Sequence, residues 1–164
     1  MRDLSSAVRV TFVRKIIIFI ASGGGVGFSP SIPGTMGTLI AVPVAMLLNR
    51  LAADHPAAAS ASLIALIGFA IWLSHKAAGI LGAKDPQIVV IDEIAGFSVA
   101  AFLNNSGLGL LVAFVLFRFF DIAKVFPASK LESLPGGAGI VLDDIMAGIY
   151  TFLILRLLSY AGLI

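Results

Sequence analysis

Apolar residues run through this chain in long blocks, without the short amphipathic periods of a water-soluble fold. Gly, Pro and polar residues separate five such blocks, at 34–51, 62–81, 88–103, 108–126 and 139–158. Each approaches the ~20 residues that a helix needs to cross a hydrocarbon core. The stretches between them, His55-Pro56, 82–86, 104–107 and 127–137, have the composition of short loops. This pattern predicts an all-α fold, a polytopic membrane helix bundle of about five apolar helices forming one domain over residues 1–164. The first block is short and contains Pro43, so it either spans or is re-entrant.

Composition agrees with the pattern. The 164 residues are 59% hydrophobic and 12% charged, with a mean hydropathy of +1.07. A soluble domain carries about 25% charged residues, and a chain this small cannot hide so many apolar runs in one globule. They face lipid. The net charge of +2 is spread among basic residues flanking the blocks and forms no basic stripe, which argues against nucleic acid as a partner. The chain has no cysteine, which removes disulfides, thiolate metal sites and a phosphocysteine mechanism.

The distribution of Lys and Arg orients the bundle, because positively charged loops stay in the cytoplasm. Arg2, Arg9, Arg14 and Lys15 place the N-terminus inside. If all five blocks cross, Lys76 and Lys84 around the second loop and Lys124 and Lys130 around the fourth are also inside, and only Arg50 and Arg156 fall outside. The apolar stretch 16–21 is short for a signal-peptide core and continues into Gly23-Gly24-Gly25, so the N-terminus is read as retained.

The remaining charges sit inside the blocks. Asp92 and Glu93 lie early in the third, Arg118, Asp121 and Lys124 late in the fourth, and Asp143 and Asp144 early in the fifth. Alternating span direction brings all of them to one membrane face. A charge at the bilayer centre costs about 2.5–3.5 kcal/mol on insertion scales, so such residues usually face a cavity and have partners. Ion pairing between helices or snorkelling to water is the plainer reading, and it suits Lys124 and Lys130. It suits the acids less well, because Arg118 and Lys124 do not balance five carboxylates. Mg²⁺ is the natural counter-ion, a hard cation that often joins one or two carboxylates to a phosphate. Neighbouring acids point about 100° apart on a helix, so one of each pair can ligate while the other orients water or a base.

Arg118 and Asp121, spaced i, i+3, share a helix face and suit either a local salt bridge or a planar fork for phosphate oxygens. Small residues follow the acids by one turn, at Gly96 and at Ala147-Gly148, where they would let helices approach closely. Pro33-Gly34-Thr35-Met36-Gly37-Thr38-Leu39 opens the first block with Pro at a helix start. Its N–H groups and hydroxyls form either a helix cap or an anion site. Gly136-Gly137-Ala138-Gly139 reads as a flexible entry or as a close approach to a ligand. His55 and His75 fall in loop and interfacial positions, which leaves metal-assisted attack by water or carboxylate as the simplest chemistry.

Four segments, taken together and in order, resemble the phosphatidylglycerophosphatase A family. They are the Pro33–Leu39 segment, Ile91-Asp92-Glu93-Ile94-Ala95-Gly96, Phe117-Arg118-Phe119-Phe120-Asp121-Ile122-Ala123-Lys124, and the run from Gly136 to Gly148 containing Leu142-Asp143-Asp144-Ile145. The resemblance implies an all-helical, multi-pass enzyme of the bacterial inner membrane. Such an enzyme removes the terminal phosphate of phosphatidylglycerophosphate with Mg²⁺, among membrane lipids and at the cytoplasmic face. It assigns the acidic motifs to Asp92, Glu93, Asp121, Asp143 and Asp144. One departure is visible: the family commonly has Pro directly after the motif lysine, where this chain has Val125 and reaches proline at Pro127.

On this basis the expected roles are Glu93, Asp143 and Asp144 as metal ligands and Asp92 or Asp121 as base or nucleophile. Gly34, Thr35, Gly37, Thr38, Arg118 and Lys124 are expected to bind substrate phosphate. A CDP-alcohol-type phosphatidyltransferase would also use membrane carboxylates, but its Asp-Gly…Ala-Arg…Gly…Asp…Asp run is missing from this sequence. An ion or proton transporter would spread polar groups through the membrane depth, whereas these gather at one face.

Overall fold

The computed structural model describes the backbone of residues 4–164 and the side chains of residues 11–164. Arg2 and the side chain of Arg9, both counted in the charge bias, lie outside the described residues. The fold is all-helical among those residues: α1 (Leu4–Ala21), a 3-10 turn at Val26–Phe28, α2 (Pro33–Asp54), α3 (Pro56–Leu81), α4 (Ile91–Ala100), α5 (Gly107–Ala123), α6 (Ala128–Leu131) and α7 (Gly137–Tyr160).

The helix boundaries follow local chemistry. Pro33 and Pro56 occupy the first turns of α2 and α3, where a missing N–H costs nothing. Gly82 ends α3 in the left-handed region at φ 69°. Ser106 caps α5 by accepting from Gly109 N at 3.2 Å. Within the bundle, the hydroxyls of Thr38, Ser98 and Thr151 donate back to the carbonyls of Gly34, Ile94 and Ala147, so these three side chains do not face the apolar surroundings alone.

Helices α2, α3 and α7 are long and apolar enough to cross a membrane. The first block therefore forms one continuous helix through Pro43 and does not fold back. The third block differs from its expected length. Its helix α4 has ten residues, about 15 Å at 1.5 Å per residue, half of a hydrocarbon core. All of α4 except Glu93 and Val99 is buried, packed among α2, α3, α5 and α7. Short helices at membrane depth are tolerated where protein surrounds them. The described part of the N-terminus also holds a helix, α1, where the sequence suggested only a short apolar stretch.

Glycine sets the spacing around α4. A Cβ on Gly96 would lie 2.7 Å from the Asp144 carbonyl oxygen, and one on Gly148 would collide with the Gly96 carbonyl. The backbones of α4 and α7 are therefore in contact, as small residues permit in membrane bundles. Phe97 of α4 stacks edge-on against Phe114 and Phe117 of α5, with ring centres 6.2 and 5.9 Å apart. The far end of α4 is held by Asn49 of α2. Its amide donates to the carbonyls of Ala101 (2.9 Å) and Asn104 (2.6 Å) and accepts from Leu103 N (2.7 Å). Large apolar side chains such as Leu47, Ile64, Leu111, Val115 and Leu157 cover the outside.

Candidate active site

Although α4 is short, it runs the way the third span was expected to run, and the chain still reverses at each connection. The starts of α2, α4 and α7 and the end of α5 consequently meet at one end of the bundle. They enclose a cavity of about 660 Å³ lined by Gly34, Thr35, Asp92, Glu93, Arg118, Asp121, Lys124, Asp143 and Asp144. Nine of the eleven expected site residues thus share one wall. The other two, Gly37 and Thr38, stand behind it. A Cβ on Gly37 would lie 2.7 Å from Val90 Cβ, and the buried Thr38 hydroxyl is taken by the Gly34 carbonyl at 2.9 Å. Their position is one of packing, set by the helical turn that points Gly34 and Thr35 into the cavity and carries the next residues away from it.

The charges in the cavity are unevenly partnered. Arg118 Nη1 lies 2.6 Å from Asp121 Oδ2, the i, i+3 pair expected on α5. Lys124 Nζ lies 2.9 Å from Asp143 Oδ2 and 3.1 Å from Glu132 Oε1. These pairs use both cations of the wall. Asp92, Glu93 and Asp144 have no cationic partner among the described residues, and one carboxylate oxygen from each lies within 4.8 Å of the others. Asp92 and Asp144 are buried. Glu93 Oε2 and Arg118 Nε are buried without a hydrogen-bond partner, and each such orphan costs about 1–3 kcal/mol unless something fills the cavity.

Three oxygen donors of this kind fit a hard divalent cation that takes carboxylates and keeps waters. Asp92, expected as base or nucleophile, lies inside this cluster. Asp143, expected as a ligand, has one oxygen engaged by Lys124, and its Oδ1 has no hydrogen-bond partner. Helical phase explains the difference. Residues 100° apart on α7 send Asp144 toward α4 and Asp143 toward the end of α5.

Two side chains of the site went unnoticed in sequence. Asp85 lines the cavity from the loop before α4, and burial raises its carboxyl above the usual range even though Lys124 opposes the shift. Glu132, from the connection after α5, pairs with Lys124. Both lie in stretches classed as loops, and the only available signal was that these loops fall on the same face as the acids. Lys124 itself ends α5 in the left-handed region at φ 44°, a costly conformation for a residue with a Cβ. That turn supplies the helix exit without a following proline and leaves Nζ on Asp143.

The glycines before α7 are explained by packing. A Cβ on Gly137 would collide with the Ile71 carbonyl of α3, and one on Gly136 with His75. Neither histidine lines the cavity.

The start of α2 has no side-chain cap, so its first N–H groups lie in the cavity wall at Gly34 and Thr35. The space there is kept open by Gly34, where a Cβ would collide with Glu93 Oε1. An uncapped helix start, a guanidinium and three acids without an ion pair among the described residues thus stand together in one wall, donor types that could hold a phosphate and a hard cation.

A family model described as phosphatidylglycerophosphatase A matches residues 19–159, the whole of the bundle that builds this cavity. The chain belongs to the phosphatidylglycerophosphatase A family. Membership makes it a phosphatase that acts on a lipid. Phosphatidylglycerophosphatase A of Escherichia coli strain K12 is 34% identical over 146 residues, covering 86% of this chain and 82% of that protein. Phosphatidylglycerophosphatase A of Haemophilus influenzae is 34% identical over 147 residues, covering 88% and 89%. A Bacteroides thetaiotaomicron protein, provisionally named a phosphatidylinositol-3-phosphatase, is 37% identical over 147 residues, covering 84% and 90%. No solved structure matches the chain.

Proposed function

We propose that this member of the phosphatidylglycerophosphatase A family hydrolyses the terminal phosphate of phosphatidylglycerophosphate, using Mg²⁺ at the cytoplasmic face of the bacterial inner membrane. The observation that carries the reading is the group of acids without an ion pair among the described residues, buried Asp92 and Asp144 with half-buried Glu93, beside an uncapped helix start and Arg118. Both family relatives named for this activity support the substrate. Lys76, Lys84, Lys124 and Lys130 cluster at the cavity end of their elements, and their charge bias supports the cytoplasmic side.

Asp92, Glu93 and Asp144 would hold Mg²⁺. When bound, the ion neutralises charge on phosphoryl oxygens, the main demand of phosphoryl transfer. Arg118 and the α2 N–H groups at Gly34 and Thr35 bind the remaining phosphate oxygens. Asp121, whose Oδ2 is held by Arg118, keeps a second oxygen to take a proton from the attacking water. The new P–O bond forms to water, the bond to the glycerol oxygen breaks, and that oxygen takes up a proton to give phosphatidylglycerol and inorganic phosphate. Asp143 and Glu132 hold Lys124 at the rim, where it meets the incoming negative charge.

A second head group is favoured by one observation, the Bacteroides relative named for phosphatidylinositol 3-phosphate. The test is phosphate release by the purified protein in detergent from each of the two lipids, with and without Mg²⁺. Mg²⁺-dependent release from phosphatidylglycerophosphate is expected, and faster release from the phosphoinositide would reassign the head group. Release from neither lipid would overturn the phosphatase reading for this chain.

A further inference from the structure

Phe28 belongs to two cavities. On one side it lines the acidic site beside Ser29 and Pro30. On the other it closes an apolar groove of about 420 Å³ between α1 and α3, walled by Ile18 and Phe19 of α1 and Ile80 of α3. Arg14 and Lys15 also line this groove, and neither makes an ion pair among the described residues. The backbone that presents Phe28 is pinned. Gly27 is buried where a Cβ would collide with the Ile88 carbonyl, its N–H donates to Ser22 O at 2.9 Å, and Ser29 N donates to Val26 O at 3.0 Å. Phe28 as a whole nevertheless remains 59% exposed.

A lipid whose terminal phosphate enters the acidic cavity must leave its chains in a place continuous with that cavity. The groove offers an apolar floor and a shared wall with the site, and Arg14 and Lys15 line it with their aliphatic stems, which leaves their charged ends, without an ion pair among the described residues, at its edge for an anionic phosphodiester. In a bilayer the surrounding tails are as apolar as the groove, so seating a chain there gives little extra affinity. What it gives is orientation, which phosphoryl transfer rewards.

We propose, resting on the lipid-phosphatase reading above, that this groove seats one acyl chain of the substrate, with Arg14 and Lys15 against the diester phosphate and Phe28 dividing chain from head group.

The test compares wild-type full-length protein with Ile80→Trp, which fills the groove, and Ile80→Val, which leaves it open. Substrates are diacyl phosphatidylglycerophosphate and its deacylated head group, glycerophosphoglycerophosphate, both with Mg²⁺. Ile80→Trp should raise KM for the diacyl lipid about fivefold or more and leave kcat/KM for the deacylated compound within about twofold. Ile80→Val should behave as wild type. Should Ile80→Trp fail to fold, Ile18→Trp, which fills the groove from the opposite wall, should give the same split.

A phosphatidylglycerol probe carrying a photoreactive acyl chain should label α1 and α3 around Ile18 and Ile80, and Ile80→Trp should abolish that labelling. Equal losses on both substrates, or an unchanged KM for the diacyl lipid, would overturn the groove. So would labelling spread evenly over outward residues such as Leu111 and Val115. If wild type hydrolyses neither substrate, the phosphatase reading fails by itself, and the labelling pattern alone then decides the groove.

Discussion

The two ends of α4 solve opposite problems. At its far end, Asn49 spends every part of its amide on the turn after the helix, donating to Ala101 and Asn104 and accepting from Leu103. At its near end, Asp92 and Glu93 meet Asp144 with no cation among the described residues to balance them. Satisfied polar groups stabilise a buried turn, whereas clustered acids without a counter-charge destabilise a helix start until a ligand arrives. The ten residues of α4 therefore begin at the candidate site and lead into an anchored turn. A helix this short can do both because it is gripped at one end.

That contrast predicts that activity and stability separate along α4. The largest effect is expected from Asp144→Asn, which should lower phosphate release about 10³-fold, comparable to loss of a main electrostatic group. Its unfolding midpoint in detergent should stay the same or rise, since a buried unpartnered charge is removed. A fall in midpoint with retained release would reverse the assignment of the two ends.

Asn49→Ala should show the complementary result. Losing three hydrogen bonds and leaving buried carbonyls unpaired should cost about 3 kcal/mol by denaturant titration, with kcat of the folded protein within about threefold. Unchanged stability would mean that Asn49 does not anchor α4.

Gly96→Ala joins the two ends, because its new Cβ would meet the Asp144 carbonyl at 2.7 Å. Pushing α4 from α7 should cost about 2 kcal/mol of stability and lower turnover as well, since Asp144 shifts with its backbone. Normal turnover at lowered stability would show that the acids tolerate looser packing than proposed.

Lys124→Met should have the smallest effect, about tenfold in kcat/KM with little change in midpoint. The lysine side chain is 33% exposed, where ion pairs contribute little to stability. A large loss of stability would place Lys124 with the anchors instead.

Much of the near end was legible before any coordinates. Span alternation alone placed 92–93, 118–124 and 143–144 together, because side chains at the same end of successive antiparallel helices must converge. The length of α4 was hidden, since burial in protein and exposure to lipid select the same apolar residues, and 88–103 reads identically either way. Which of the acids group together was hidden too. Adjacent acids differ only in helical phase, and which phase faces which neighbour depends on packing at Gly96 and Gly148. Nothing in the local sequence marks Asn49, because its three partners lie more than fifty positions away.

Metal binding tests the central claim most directly. Mn²⁺, used as a paramagnetic substitute for Mg²⁺, can be titrated into the purified protein and followed by the loss of its free-ion resonance. Wild type and Asn49→Ala should both take up the ion, Mg²⁺ should displace it, and Asp144→Asn should bind it at least about tenfold more weakly. Equal binding by wild type and Asp144→Asn, or no binding by either, would contradict the assignment of the near end of α4 as a metal-dependent site.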